Sequence, residues 1–274
     1  MQIREITSLI DERNAKRILL LCHHNADPDA VCSAFAFSQL LKRLRPKLNI
    51  EIAAAQGPSR LSRFVLKSLP ITLTNNPNIE ESDVIVLLDT NTVQQLDEWG
   101  RRVEASKASI IVIDHHASHP ETERLATLTV ADETASSTCE IVFRLFKEAE
   151  MKLTQTEAKA LFLGIAFDTR HFILASSATL KILADLTEVG VKAEEALRLL
   201  SLPMDPSERI ARLKAGRRVK LLRINNWLMA FSHVSAYQAS AARALVALGA
   251  HVAIVAGQHG ESIQVSMRAS REFH

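Results

Sequence analysis

The chain has 274 residues, 47% of them hydrophobic, with a formal net charge of +2. That length is enough for two domains and a sizeable core, and the near-neutral balance gives no broad basic footprint for a long duplex. No stretch is long and uncharged enough to span a bilayer, and the charged segment from Met1 to Arg17 lacks the apolar run of a signal peptide, so the expected setting is cytoplasmic, with no membrane partner. Cys22, Cys32 and Cys139 have no metal-ligand spacing and read as reduced, mostly buried thiols.

Taken in order, Ile18 to Cys22 is an apolar run that ends in His23-His24-Asn25-Ala26-Asp27-Pro28-Asp29. From Ala30 to Leu44 the apolar residues recur at helical spacing (Val31, Phe35, Leu40, Leu41, Leu44), and Pro46 follows. Ile50 to Ala55 reads as a second strand, broken by Gly57-Pro58-Ser59, with a short helix after it. Val84 to Leu88 is a third apolar run, ending in Asp89-Thr90-Asn91, and a helix follows at about Val93 to Ala105. Ile110-Ile111-Val112-Ile113 then runs into Asp114-His115-His116; an uninterrupted apolar run marks a strand covered on both faces. A polar loop leads to a short strand near Leu128 to Val130, a helix over Glu140 to Ala149 and another from Thr154, where Glu157 completes a capping box. That helix runs through Gly164 into Asp168, and one more spans about Ala178 to Val189, stopped by Gly190.

Strands alternating with helices predict an α/β fold with a mainly parallel, doubly wound sheet over residues 1–200. Residues 201–207 carry two prolines and mark a boundary. A basic run from Arg209 to Arg223 reads as the solvated face of a linker helix. A second, smaller α/β pattern follows within 201–274: strand Trp227 to His233, helix Gln238 to Leu248, strands Val252 to Ala256 and Ser262 to Arg268. It is short for a domain and is expected to be incomplete.

In a parallel sheet the strand ends open on one edge, where ligands bind. Residues 23–29, 89–91 and 114–116 should therefore meet, with Asp168 joining them from a helix end. Taken singly, an Asp after a strand can be a helix N-cap, and Asp-x-Asp beside a proline can be turn chemistry. Two pairs of adjacent histidines, both at strand ends, do not fit that explanation. Four or five carboxylates in one cleft repel each other unless cations share the site. Mixed carboxylate and imidazole donors favour Mn²⁺ and its neighbours, and two metals roughly 3.5–4 Å apart, bridged by a carboxylate, are the usual arrangement. No Gly-x-Ser-x-Gly elbow, Walker loop or dinucleotide Gly-x-Gly-x-x-Gly competes with that reading.

These residues resemble the signatures of the DHH phosphoesterases, a family that includes RecJ-type exonucleases, NrnA-like nanoRNases and pAp phosphatases, exopolyphosphatases and family II inorganic pyrophosphatases. His23 to Ala30 is similar to the first signature, His-x-x-x-Asp-x-Asp; Leu88-Asp89-Thr90 to the second; Asp114-His115-His116 to the third; and Gly164 to Thr169 to the fourth. Ala135 to Glu140 fits the helix start that the family has between the last two. The resemblance covers about residues 15–190. It implies two divalent cations, Mn²⁺ with Mg²⁺ or Co²⁺ as alternatives. His23 and Asp27 would hold one; Asp29, His115 and Asp168 the other; Asp89 would bridge them. It also implies that His116 faces the phosphate as donor or general acid and that Asp114 fixes a neighbouring histidine's tautomer. His24 stands at a non-motif position and reads as a cleft-lining neighbour. Arg170 and His171 stand where smaller residues are expected, either to touch substrate or to face solvent.

The second unit resembles the start of the family's substrate-binding domain, and Val265 to Ser270 is similar to its Ser-x-Arg-Ser strand. Ser266 and Arg268 are thereby expected to grip a phosphate or nucleotide, with a surface arginine on an edge strand as the plain alternative. The family's glycine-rich loop ending in Gly-Gly-His is not among the residues up to His274, so substrate recognition is either incomplete here or different. The implied activity is metal-dependent hydrolysis of a short single-stranded oligonucleotide or a phosphorylated nucleotide such as pAp, by an enzyme that could be a homodimer. The alternatives are pyrophosphate or polyphosphate hydrolysis, and a catalytically silent binding or scaffold protein.

Overall fold

The computed structural model describes residues 2–260 and 262–273, and the chain divides after Leu202 into two compact units. The first contains α1 (Gln2–Glu12), β1 (Arg17–Cys22), α2 (Pro28–Leu44), β2 (Asn49–Ala54), α3 (Arg60–Leu66), β3 (Val84–Leu88), α4 (Glu98–Ala105), β4 (Ser109–Asp114), α5 (Pro120–Leu125), β5 (Leu128–Ala131), α6 (Thr138–Glu148), α7 (Gln155–Asp168), α8 (Ser177–Glu188) and α9 (Ala193–Leu199). Its five strands form one all-parallel sheet in the order β2-β1-β3-β4-β5.

Both faces of that sheet are covered, which is why β3 and β4 are apolar without alternation. Successive side chains point to opposite faces. Leu20, Val86 and Ile111 pack with α1, α2, α6 and α7; Leu21, Leu87 and Val112 pack with Val93, Leu96, Trp99 and Val103. Burying one such aliphatic side chain stabilises the fold by ~1.5–3 kcal/mol. The register aligns Cys22 with Leu88 and Leu88 with Ile113, so His23, Asp89 and Asp114 leave the sheet side by side.

Several elements differ from the sequence reading. The charged N-terminus forms α1, because Ile3, Ile6 and Ile10 fall on one buried face. The expected continuous helix over 93–105 is broken. A 3₁₀ turn at Val93–Leu96, closed by a Thr92–Gln95 capping box, ends at Asp97 (φ 51°), where α4 begins afresh. Gly100 permits that break: a Cβ there would lie 2.5 Å from the Val93 carbonyl oxygen. The polar loop after His116 holds α5, which starts with Pro120 in its first turn.

The second unit contains α10 (Pro206–Arg217), β6 (Lys220–Ile224), β7 (Trp227–His233), α11 (Gln238–Ala247), β8 (Val252–His259) and β9 (Ser262–Ala269). Its mixed sheet has the order β6-β7-β8-β9; α11 makes the parallel crossover from β7 to β8, and the other pairs are antiparallel. The basic run is therefore not one linker helix. Lys220 and Arg223 belong to β6, Arg212 pairs with Glu208 and donates to Ser240, and Arg218 donates to the His233 carbonyl. No helix among the described residues is long and apolar enough to cross a membrane.

Candidate metal centre

Three strand ends, the start of α2 and the end of α7 deliver the donors. His23 follows β1, and its Nδ1 lies 2.8 Å from the His24 carbonyl. A carbonyl only accepts, so Nδ1 carries the proton and Nε2 faces inward as a free donor atom. That Nε2 lies 3.9 Å from Asp27 Oδ2 and 3.8 Å from Asp89 Oδ2. Asp27 is the N-cap of α2: Oδ1 accepts the amides of Asp29 (2.9 Å) and Ala30 (3.1 Å), which leaves Oδ2 for the cleft. Turn chemistry and ligand geometry thus use the two oxygens of one carboxylate.

Asp29 sits in the first turn of α2 with no exposure to solvent. Its Oδ2 accepts from the Thr138 amide (2.6 Å) and its Oδ1 from the Cys139 amide (3.0 Å), both in the first turn of α6. A buried carboxylate at a helix N-terminus gains from the unpaired amides and the helix dipole. Gly164, on α7, makes room for this: a Cβ there would lie 2.6 Å from Asp29 Oδ1 and 2.3 Å from Cys139 Sγ. One turn later, Asp168 ends α7, and its Oδ2 lies 3.1 Å from His115 Nε2. That contact lacks hydrogen-bond geometry, and His115 Nε2 is a buried ring nitrogen without a hydrogen-bond partner.

Asp89 lies between the two groups, almost fully buried, with backbone in the left-handed region (φ 53°) that Asp tolerates better than most residues. Its Oδ1 accepts from the Thr138 hydroxyl (3.0 Å) and lies 3.6 Å from His115 Nε2 and from His116 Nδ1. Among the described residues, three sets of donor atoms cluster closely enough to hold a cation: His23, Asp27 and Asp89; Asp29, His115 and Asp168; Asp89, His115 and His116. Oxygen and imidazole donors, a partnerless buried imidazole nitrogen and a shared carboxylate fit a pair of divalent cations.

The electrostatics point the same way. Burial pushes the Asp29 carboxyl well above the usual carboxylate range, and Asp168 and Asp27 push it further. Burial does the same to Asp89, with Asp29 and Asp27 adding to it. Burial alone would lower His23, but the nearby carboxylates of Asp27 and Asp89 and the His24 carbonyl outweigh it and raise it to about 9. His115 is raised against its burial by Asp168 and Asp89. Asp27, also opposed by burial, is lowered by His23 and the α2 amides. Without a cation the cleft takes up protons.

Asp114 Oδ1 accepts both the backbone amide and Nδ1 of His116, each at 2.8 Å. The half-exposed His116 ring therefore has Nδ1 committed and Nε2 available for a ligand. The exposed His24 has its Nδ1 3.1 Å from the Gln95 carbonyl, anchored beside the 3₁₀ turn. Arg170, His171 and Phe172 form a left-handed turn after Asp168 (φ 50°, 56° and 74°); Arg170 and His171 are exposed, whereas Phe172 packs on Phe162. Neither Arg170 nor His24 belongs to the three donor clusters. In the second unit, Ser266 pairs with Val255 and Arg268 with Ala253, so both share one face of β9; Arg268 is exposed and donates to the Met267 carbonyl at 2.7 Å. In the sequence, Thr138 and Gly164 fall inside motifs without any sign of a role of their own. Their signal is a Thr in the first turn of a helix and a Gly one turn before an acid, both too common to single out.

A doubly wound parallel sheet with clustered carboxylates and imidazoles at its C-terminal edge defines a metal-binding α/β protein. Residues 17–165 match the model of the DHH family, N-terminal domain, and the chain belongs to that family. It is 33% identical over 267 residues to an uncharacterised protein of Methanocaldococcus jannaschii, MJ0988, covering 96% of this chain and 79% of that one. Over 188 residues it is 30% identical to a protein of Streptococcus equi subsp. equi named probable manganese-dependent inorganic pyrophosphatase (65% of this chain, 58% of that one). Over 188 residues it is also 26% identical to the bifunctional oligoribonuclease and PAP phosphatase NrnA of Bacillus subtilis (67% of this chain, 56% of that one). The chain thus spans little more than half the length of these last two relatives. Among solved structures, an exopolyphosphatase-related protein from Bacteroides fragilis shares the fold with a TM-score of 0.75 at 20% identity, covering 99% of this chain and 84% of that one.

Proposed function

We propose that this chain is a two-metal phosphoesterase that hydrolyses short single-stranded oligonucleotides or phosphorylated nucleotides such as pAp, with Mn²⁺ as its cation. The observation that carries the reading is the pair of donor sets, His23–Asp27 and Asp29–His115–Asp168, with Asp89 reaching both. Two divalent cations there would polarise a phosphoryl oxygen and supply a nucleophilic water at neutral pH. The protein's own part is to hold and orient. His23 offers Nε2 because the His24 carbonyl fixes its tautomer. His116, held through Nδ1 by Asp114, presents Nε2 to donate a hydrogen bond or a proton to a phosphate oxygen. Asp114, hydrogen-bonded behind that ring, is placed to stabilise an imidazolium, as a carboxylate does behind a catalytic histidine. In the second unit, Arg268 and Ser266 supply a planar cation and a hydroxyl suited to a phosphate. Three free, buried thiols agree with a reducing, cytoplasmic setting.

Pyrophosphate hydrolysis is the second reading, favoured by the Streptococcus relative's name. A substrate panel separates the two. Purified protein with Mn²⁺ should release mononucleotide or phosphate from pAp, short RNA or short DNA faster than phosphate from pyrophosphate. The reverse order selects the second reading, and no release from any of the four overturns both.

A further inference from the structure

We infer that Thr138 is a positioning residue that ties the two halves of the metal centre together. It is fully buried, and its two hydrogen-bond donors go to different carboxylates. The backbone amide donates to Asp29 Oδ2 at 2.6 Å, and the hydroxyl donates to Asp89 Oδ1 at 3.0 Å. Asp29 belongs to the set with His115 and Asp168; Asp89 belongs to the set with His23 and Asp27. One residue in the first turn of α6 therefore orients a donor of each set.

Asp89 needs such a restraint. It follows β3 in left-handed backbone, so its side-chain direction is not set by a regular strand or helix. The Thr138 hydroxyl takes one lone-pair direction of Oδ1, while Oδ2 points toward His23 Nε2, 3.8 Å away. A carboxylate shared between two cations must aim both oxygens at once, and outer hydrogen bonds of this kind set that aim. Thr138 is itself held firmly. The Ser137 hydroxyl caps α6 by accepting the Glu140 amide at 3.2 Å. The buried Glu140 carboxylate accepts from Ser136 (2.8 Å) and Thr179 of α8 (3.1 Å) and pairs with Arg144. The hydroxyl is thus presented from a braced helix start.

The inference rests on the metal reading above, and its test reads metal binding directly. Mn²⁺ titration by calorimetry, with thermal unfolding alongside, is carried out on the wild-type chain, Thr138→Val and Thr138→Ser. Valine keeps the shape and loses the hydroxyl; serine keeps the hydroxyl. Val should weaken Mn²⁺ binding about 10–100-fold and shrink the thermal shift on metal addition, whereas Ser should restore both. If the Val variant does not fold, Thr138→Ala against Thr138→Ser makes the same comparison. A folded hydroxyl-free variant with wild-type affinity, or a Ser variant as weak as the hydroxyl-free one, overturns the role of Thr138. Failure of the wild-type chain to bind Mn²⁺ overturns the metal reading itself, so the two failures are distinct.

Discussion

At Asp89 three demands meet in one side chain: near-complete burial, left-handed backbone and contact with both donor sets. Asp89→Ala should remove Mn²⁺ binding and turnover together, because no other carboxylate reaches both His23 and His115 in these clusters. His116→Ala should behave differently. Its Nδ1 is already engaged by Asp114, so metal content should stay near wild type while turnover falls by about 10²–10⁴-fold, the usual scale for losing a general acid. Metal analysis of the purified variants beside their rates checks both; loss of metal from the His116 variant would make it a ligand.

The protonation of the cleft gives a second residue-scale expectation, for the metal-free protein. His23 is raised to about 9 and His115 is raised, so the stability each contributes is full below an unfolded histidine's pKa, about 6.5, and is lost as pH rises through the folded value. Asp29 and Asp89 are raised acids: the folded chain keeps their protons longer than the unfolded chain, so they too favour folding less as pH rises. Asp27 is lowered, and its contribution is already full above the ordinary Asp range. The signs agree above neutrality. With chelator, the unfolding temperature should fall between about pH 6.5 and pH 9. With Mn²⁺ the fall should be much smaller, since the cation replaces the protons. A flat chelated profile would contradict the charge arrangement described here.

Among the elements, α2, α6 and α7 converge on Asp29, and Gly164 is what lets them approach. A methyl group at 164 would press on Asp29 Oδ1 and Cys139 Sγ, neither of which is the free end of a long side chain. Gly164→Ala should therefore cost about 1–3 kcal/mol by overpacking, despite alanine's better helix propensity, and should weaken Mn²⁺ binding by displacing Asp29. Denaturant unfolding and metal titration on the variant test this; a gain in stability would mean that the helices can part without cost. Strand and helix types were legible in the sequence where an unbroken apolar run or a capping box marked them, as in β3, β4 and α7. They were not legible at α1, whose three isoleucines are scattered among charges, or at the break before α4. Only the packing of Gly100 against the Val93 carbonyl shows that the chain stops and restarts there.

At the scale of the molecule, the candidate donor clusters found among the described residues all lie in the first unit, as do both buried clusters that flank its sheet. A fragment of residues 1–202 should thus fold and bind Mn²⁺ with the affinity of the longer chain. Substituting Ser266 and Arg268 together in the longer chain should raise KM for a nucleotide substrate and leave metal content unchanged. Calorimetry on the fragment and steady-state kinetics on the double variant examine these separately; an unchanged KM would take the second unit out of substrate recognition.

The candidate donors and their common edge were readable from the chain by itself. Parallel strands end on one side by topology, and an acid or imidazole directly after a strand inherits that position without further information. Asp114-His115-His116, Asp89 and the Asp27–Asp29 pair are local facts of this kind. The tertiary structure decided the rest: which oxygen of each carboxylate faces the cleft, which histidine nitrogen is free, and that Thr138 donates to Asp29 and Asp89 while Gly164 leaves room for Asp29. Those answers depend on contacts between residues as far apart as Asp29 and Thr138, separated by 109 positions, and on burial that raises Asp29 and Asp89. No pattern along one segment carries them, because each is set by a partner that the fold supplies.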